Sequence, residues 1–167
     1  MGWQMNRQTG RHPKGRSSGK GGQGSDSEAF ARGMRQFNSR RFWHAHESWE
    51  VIWLVAPEPE KTFLQGIIQI SAAFYHHQRK NRVGTRSLLL RGLSKVEGFP
   101  ANHRRLRLEE LRRTVREWLK ELKRGHSCSR KPFPKLRPWK EPHPATGGAG
   151  RAGIIRSASG RSGTGRR

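Results

Sequence analysis

Apolar positions recur at spacings of three and four through the middle of the 167-residue chain, and nowhere do they alternate with period two for long enough to make a sheet. The densest stretch is FNSRRFWHAHESWEVIW, residues 37–53. Wound at about 100° per residue, it places Phe42, Ala45, Trp49, Ile52 and Trp53 on one face, with His46 and Glu50 side by side at the edge. Glu47 projects further round, Trp43 points away from the main apolar face, and His44, Ser48 and Val51 take the opposite side. Upstream, Ala29, Phe30, Met34 and Phe37 predict a first helix, capped by Asp26 or Ser27, with Glu28 in its first turn. Asn38 and Ser39 break it, and Pro57 and Pro59 close the second helix.

A third helix is predicted over 60–78, and from Thr62 to His77 it contains no Lys, Arg, Asp or Glu. In so charged a chain, four turns without charge imply a central position. Phe63, Ile67, Ile70 and Phe74 form one stripe, and Leu64, Ile68 and Tyr75 an adjoining one. Gln65, Gln69, Ala72 and His76 line the far side, a neutral polar stripe that needs partners. A fourth helix, about 83–96, uses Leu89, Leu90, Leu93 and Val96 and ends at Gly98 and Pro100. The fifth, about 108–123, aligns Leu108, Leu111, Val115, Trp118, Leu119 and Leu122 against a face of Arg, Glu and Lys, with Gly125 as C-cap. The fold class is therefore all-α, a bundle of about five helices over residues 26–124.

Charge redraws the two ends. The chain carries 35 Lys and Arg against 12 Asp and Glu, a formal +23, and more than half of the excess lies outside the bundle. Residues 1–25 and 125–167 are rich in Gly, Ser, Pro and Arg, bury little, and are expected to be disordered basic tails. Scattered aromatics such as Phe133 and Trp139 suit such tails to loose, salt-dependent contact with nucleic acid; the plainer alternative is a solubilising extension. No sequence-reading nucleic-acid module is present. One cysteine, Cys128, excludes an internal disulfide framework and points to a cytoplasmic protein. No run of about 18 apolar residues exists, so no membrane span is expected, and the N-terminus lacks the apolar segment of a secretory signal.

The run FN, FWHAHESWEVIW, FLQGIIQISAAFYHHQRKN and VGTRSLLLRGL, roughly residues 37–93, resembles the small all-helical bacterial family known as domain of unknown function 309. The resemblance carries over the polar positions Asn38, His46, Glu47, Glu50, Gln65, Gln69, His76 and Asn81, and implies the activity some catalogues give the family, a metal-dependent hydrolase of unknown substrate. The chain departs from the family at His44, where an acid is expected, and at Lys80, where glycine is expected.

Two readings of these residues stay open. In one, His46 and Glu50 from the second helix and His76 from the third hold a divalent metal, zinc, manganese or iron, with Glu47 as general base and Gln65 and Gln69 orienting groups around it. The HExxE spacing is not the HExxH of zinc proteases. In the other, the same side chains, with Asn38 and Asn81, satisfy one another and fix the register of the helices in a noncatalytic scaffold. His44 and His77 are expected to be exposed. The uncharged third helix also suits an interaction module completed by a second copy, a homodimer.

Overall fold

The computed structural model describes residues 22–124 and 131–140. The tail expectations for 1–21, 125–130 and 141–167 lie outside these residues. Five helices follow one another: α1 (Gly22–Asn38), α2 (Phe42–Val55), α3 (Glu60–Gln78), α4 (Arg82–Glu97) and α5 (Leu108–Lys123), with a single 3-10 turn at His103–Arg105 before α5. The all-α bundle is as expected. Both ends of α3 and α5 coincide with the predicted ones, because charge-free and strictly amphipathic segments leave little choice of boundary. Helix α1 begins four residues before the predicted caps, so Asp26 and Glu28 lie inside it rather than at its start.

Helix α3 is central. It packs against α2 on one side and most extensively against α4 on the other, while α1 lies on α2 and α5 on α4. Its stripe of Phe63, Ile67, Ile70 and Phe74 is wholly buried. Phe30 of α1 meets Phe63, Phe37 of α1 meets Phe74 edge-on, and Trp118 of α5 meets Phe74 edge-on at 5.1 Å. Thus α2, α3 and α4 form one layer, and α1 and α5 cover its inner face. The α3–α4 crossing depends on a pair of glycines. A Cβ on Gly92 would fall 2.8 Å from the Gly66 carbonyl oxygen, and one on Gly66 would fall 3.1 Å from that of Gly92.

Two helix ends share one geometry without glycine. Arg40 and Lys80 have φ of 61° and 60°, in the left-handed region. At α3 the Lys80 N–H donates to the His77 carbonyl and the Asn81 N–H to the His76 carbonyl; at α1 Arg40 and Arg41 donate to Phe37 and Gln36 in the same register. These are Schellman ends, which normally place glycine at the left-handed residue. Lys80 is the position at which the resemblance called for glycine, and the backbone supplies the reason.

The tail assignment needs correction at 131–140. This segment packs on the bundle instead of running free. Phe133 stacks on Trp118 at 5.5 Å and touches Phe42 and Phe74, the Arg40 guanidinium covers its ring at 5.3 Å, and Leu136 is buried. An isolated antiparallel bridge joins Leu106 to Pro138. Phe133 is therefore half-buried against the core and not a free stacking platform. His77, expected on the surface, sits edge-on to Trp118 at 4.8 Å and to Phe133 at 5.8 Å, because the returning segment covers that end of α3.

Candidate functional site

The predicted face of α2 forms as read: Phe42, Ala45, Trp49 and Ile52 are buried and Trp53 half-buried. His46 and Glu50 stand at its border, His46 Nδ1 3.8 Å from Glu50 Oε2, with side-chain exposures of 14% and 47%. The Trp43 ring stacks on the His46 imidazole at 5.3 Å, nearly parallel, and Tyr75 of α3 closes on Trp43 at 5.2 Å. Burial under these rings lowers the His46 pKa, against the opposing pull of Glu50 and Glu47, so the ring is held neutral below its ordinary titration range. Further along, the Lys61 ammonium lies over the Trp53 ring at 5.2 Å. Trp43 meeting Tyr75 and Trp53 meeting Lys61 set α2 and α3 antiparallel.

Gln65, Gln69, Ala72 and His76 are all half-buried, on the side of α3 away from the core and flanked by α2 and α4. His76 lies at the far end of this stripe. There Asn81 caps α4: its Oδ1 accepts from the Gly84 N–H at 2.8 Å, which turns its Nδ2 toward His76 Nδ1 at 3.0 Å. The amide must donate, so Nδ1 accepts and the ring proton resides on Nε2. The Thr85 hydroxyl donates to the Asn81 carbonyl at 2.7 Å and completes the junction. Burial, helped by Arg79, lowers the His76 pKa as well. At the same end of the bundle, where the Gln78 amide donates to the Arg40 carbonyl at 3.0 Å, Asn38 clamps the returning segment: its Nδ2 donates to the Leu136 carbonyl at 2.9 Å and its Oδ1 accepts the Leu136 N–H at 2.8 Å. A single side chain thus takes the place of a neighbouring strand.

The residues do not fit a metal ion well. A metal-bound histidine donates a proton from its other nitrogen to a nearby acceptor, whereas His76 Nδ1 accepts from Asn81. Among the described residues no group of three or more His, Cys, Asp or Glu side chains comes together as a metal site requires. The structure brings His46 to Glu50 and leaves His76 tied to Asn81. Glu47 is exposed on α2. Among the described residues, buried polar atoms that make no hydrogen bond include His46 Nδ1, Trp53 Nε1 and Gln69 Oε1.

Three polar anchors escaped the sequence reading. Arg112 is buried on α5 and donates to the Val96 and Phe99 carbonyls at the end of α4 while pairing with Glu109 at 3.1 Å. Ser48, placed on the outer side of α2, is buried and donates to Gln36 of α1 at 2.8 Å. Ser71 donates to the Phe42 carbonyl at 2.8 Å. The signal existed for two of them. Arg112 is four residues after Leu108 and three before Val115, and Ser48 is three after Ala45 and four before Ile52, so both share the apolar face.

The family model described as "Domain of unknown function (DUF309)" matches residues 30–88, from the middle of α1 into α4. No curated protein matches the chain. Among the described residues no helix is long and apolar enough to cross a membrane.

Proposed function

Starting from a chain whose residues 30–88 are a DUF309 domain, we propose that it works as a noncatalytic helical interaction module rather than a hydrolase. The observation that carries this reading is the edge of α2: Val51, Leu54 and Val55 are 62%, 63% and 75% exposed, beside the half-buried Trp53 with its unbonded indole N–H. A run of large apolar side chains left in water at one helix end favours association with another protein surface. The polar positions support the same reading. Asn38 and Asn81 are spent on backbone groups, Asn81 also holds His76, and among the described residues no third His, Cys, Asp or Glu joins His46 and Glu50.

The partner is a second copy of the chain, whose α2 edge would cover its own counterpart across a two-fold axis. The test is light scattering on untagged protein over a concentration series, with metal content measured on the same samples. Mass should rise toward a dimer, Leu54→Glu should keep the chain monomeric with its fold intact, and divalent metal should be far below one per chain. A monomer at every concentration overturns the docking edge. One tightly held metal per chain, lost on His46→Ala without loss of fold, overturns the noncatalytic reading and restores the hydrolase.

A further inference from the structure

The outward stripe of α5 and the segment that returns beside it form a second surface, independent of the α2 edge. A concavity of about 640 Å3 lies between them, lined among others by Arg113, Lys120, Trp139 and Lys140. A smaller one of about 230 Å3 continues it toward α4, adding Arg86 and Lys123 and sharing Lys120 and Arg116 with the first. Arg113, Arg116, Lys120 and Lys123 follow one another at three and four residues, so they track one side of the helix for about 15 Å.

The carboxylates in this trough are already engaged. Glu109 takes Arg112 and Arg116, whose hydrogen bonds hold its pKa below the usual carboxylate range. Glu110 faces Arg107 and Arg137, and Glu117 faces Lys131. By contrast Arg86, Arg113, Lys120, Lys123 and Lys140 are exposed and make no ion pair or hydrogen bond among the described residues. A solvated helix face alone would explain a basic stripe. It does not explain why the returning chain is fixed alongside it, with the Trp139 N–H donating to the Arg105 carbonyl at 2.6 Å and the Arg107 N–H to the Arg137 carbonyl at 2.9 Å. Those two bonds hold a 36% exposed indole at the trough wall, next to Lys140.

We infer that this trough binds single-stranded nucleic acid, its unpaired cations following the phosphates and Trp139 offering a face on which a base stacks. Unpaired cations along a concave track with an aromatic platform suit a flexible strand whose bases are free to turn toward protein. The overall charge of +23 adds long-range attraction for a polyanion. The site belongs to the folded domain, in contrast to tail binding, which any equally basic extension would provide.

The experiment uses the full chain and a fluorescent oligothymidylate, with affinity followed against salt by anisotropy. The variants are Trp139→Ala, the trough triple Arg113→Ser, Lys120→Ser and Lys140→Ser, and a tail triple of equal charge, Arg151→Ser, Arg156→Ser and Arg161→Ser. The trough triple should flatten the log-affinity against log-salt slope by about 2, since each phosphate contact on a single strand contributes about 0.7. Trp139→Ala should weaken binding about tenfold with little change in slope, the signature of a lost stack. No binding by the unaltered chain, equal loss from the trough and tail triples, or displacement of the strand by polyglutamate at matched charge each overturns the inference.

Discussion

The α3–α4 junction and the α2 border of the polar stripe use their hydrogen-bonding groups in opposite ways. At the α3–α4 junction His76, Asn81, Gly84 and Thr85 form a chain in which the carboxamide and the carbonyl of Asn81 are both engaged. Along the border with α2, His46, Trp53 and Gln69 each bury a polar atom that makes no hydrogen bond among the described residues. A residue of the first kind fixes where helices begin and end; one of the second kind contributes little to folding, and its surroundings suit a partner. The resemblance groups both kinds as one set of polar positions, and only their partners separate them.

The largest effect should come from Arg112, which belongs with the fixing residues although it is no part of the stripe. Its guanidinium caps the C-terminal carbonyls of α4 from inside the protein, where a cation also complements the helix dipole. Arg112→Met keeps most of the volume and removes the donors, so urea unfolding should show a loss of about 3 kcal/mol, in the range for stranding buried carbonyls. A loss below about 1 kcal/mol would mean that the carbonyls find water and that buried polar bonding is not what holds α4 to α5.

Asn81→Ala comes next. It removes an N-cap, worth about 1 kcal/mol, and the donor to His76, worth about another, for a total near 2 kcal/mol by the same measurement. Asn38→Ala should act similarly through the Leu136 clamp, and limited proteolysis should then cut within 131–140. The comparison is sharpened if His76→Ala in the Asn81→Ala background costs little more, since the pair is one unit.

How much of this was legible beforehand depends on what covered each residue. The apolar stripe of α3 and the amphipathic α5 state their own boundaries, and the inner residues of α2 followed from spacing alone. Where reading failed, the cause was a neighbour distant in sequence. Residues 131–140 looked unfoldable because Phe133 and Leu136 stand among prolines and lysines, yet the pocket between Phe42, Phe74 and Trp118 is complete only when Phe133 fills it. His77 was placed on the surface for the same reason. The bond from Asn81 to His76 was not legible, because spacing reports which side of a helix a ring occupies and not which of its nitrogens is taken. The departure at Lys80 was visible as a mismatch, and only the backbone explained it. Lys80→Gly should relieve the left-handed strain and raise stability by about 1 kcal/mol, seen as a higher melting temperature. No gain would imply that lysine side-chain contacts compensate for the strain.

The smallest effect bears most directly on the contrast. His46 Nδ1 makes no hydrogen bond among the described residues, so His46→Gln should cost under about 1 kcal/mol at pH 8, less than Asn81→Ala, the loss coming mainly from the stack on Trp43. Its main contribution is to pH dependence. Burial lowers the folded pKa of His46, as it does for His76 and His77, below the ordinary 6.5. Above that value both folded and unfolded rings are neutral and stability is complete; as pH falls through it, the unfolded chain binds protons that the folded chain refuses, and stability is lost. The melting temperature should therefore fall from pH 8 to pH 5.5, and His46→Gln should flatten that fall while scarcely moving the value at pH 8. If instead the substitution costs more than Asn81→Ala at pH 8, His46 is a fixing residue like the others, and the distinction between the bonded junction and the open α2 border is lost.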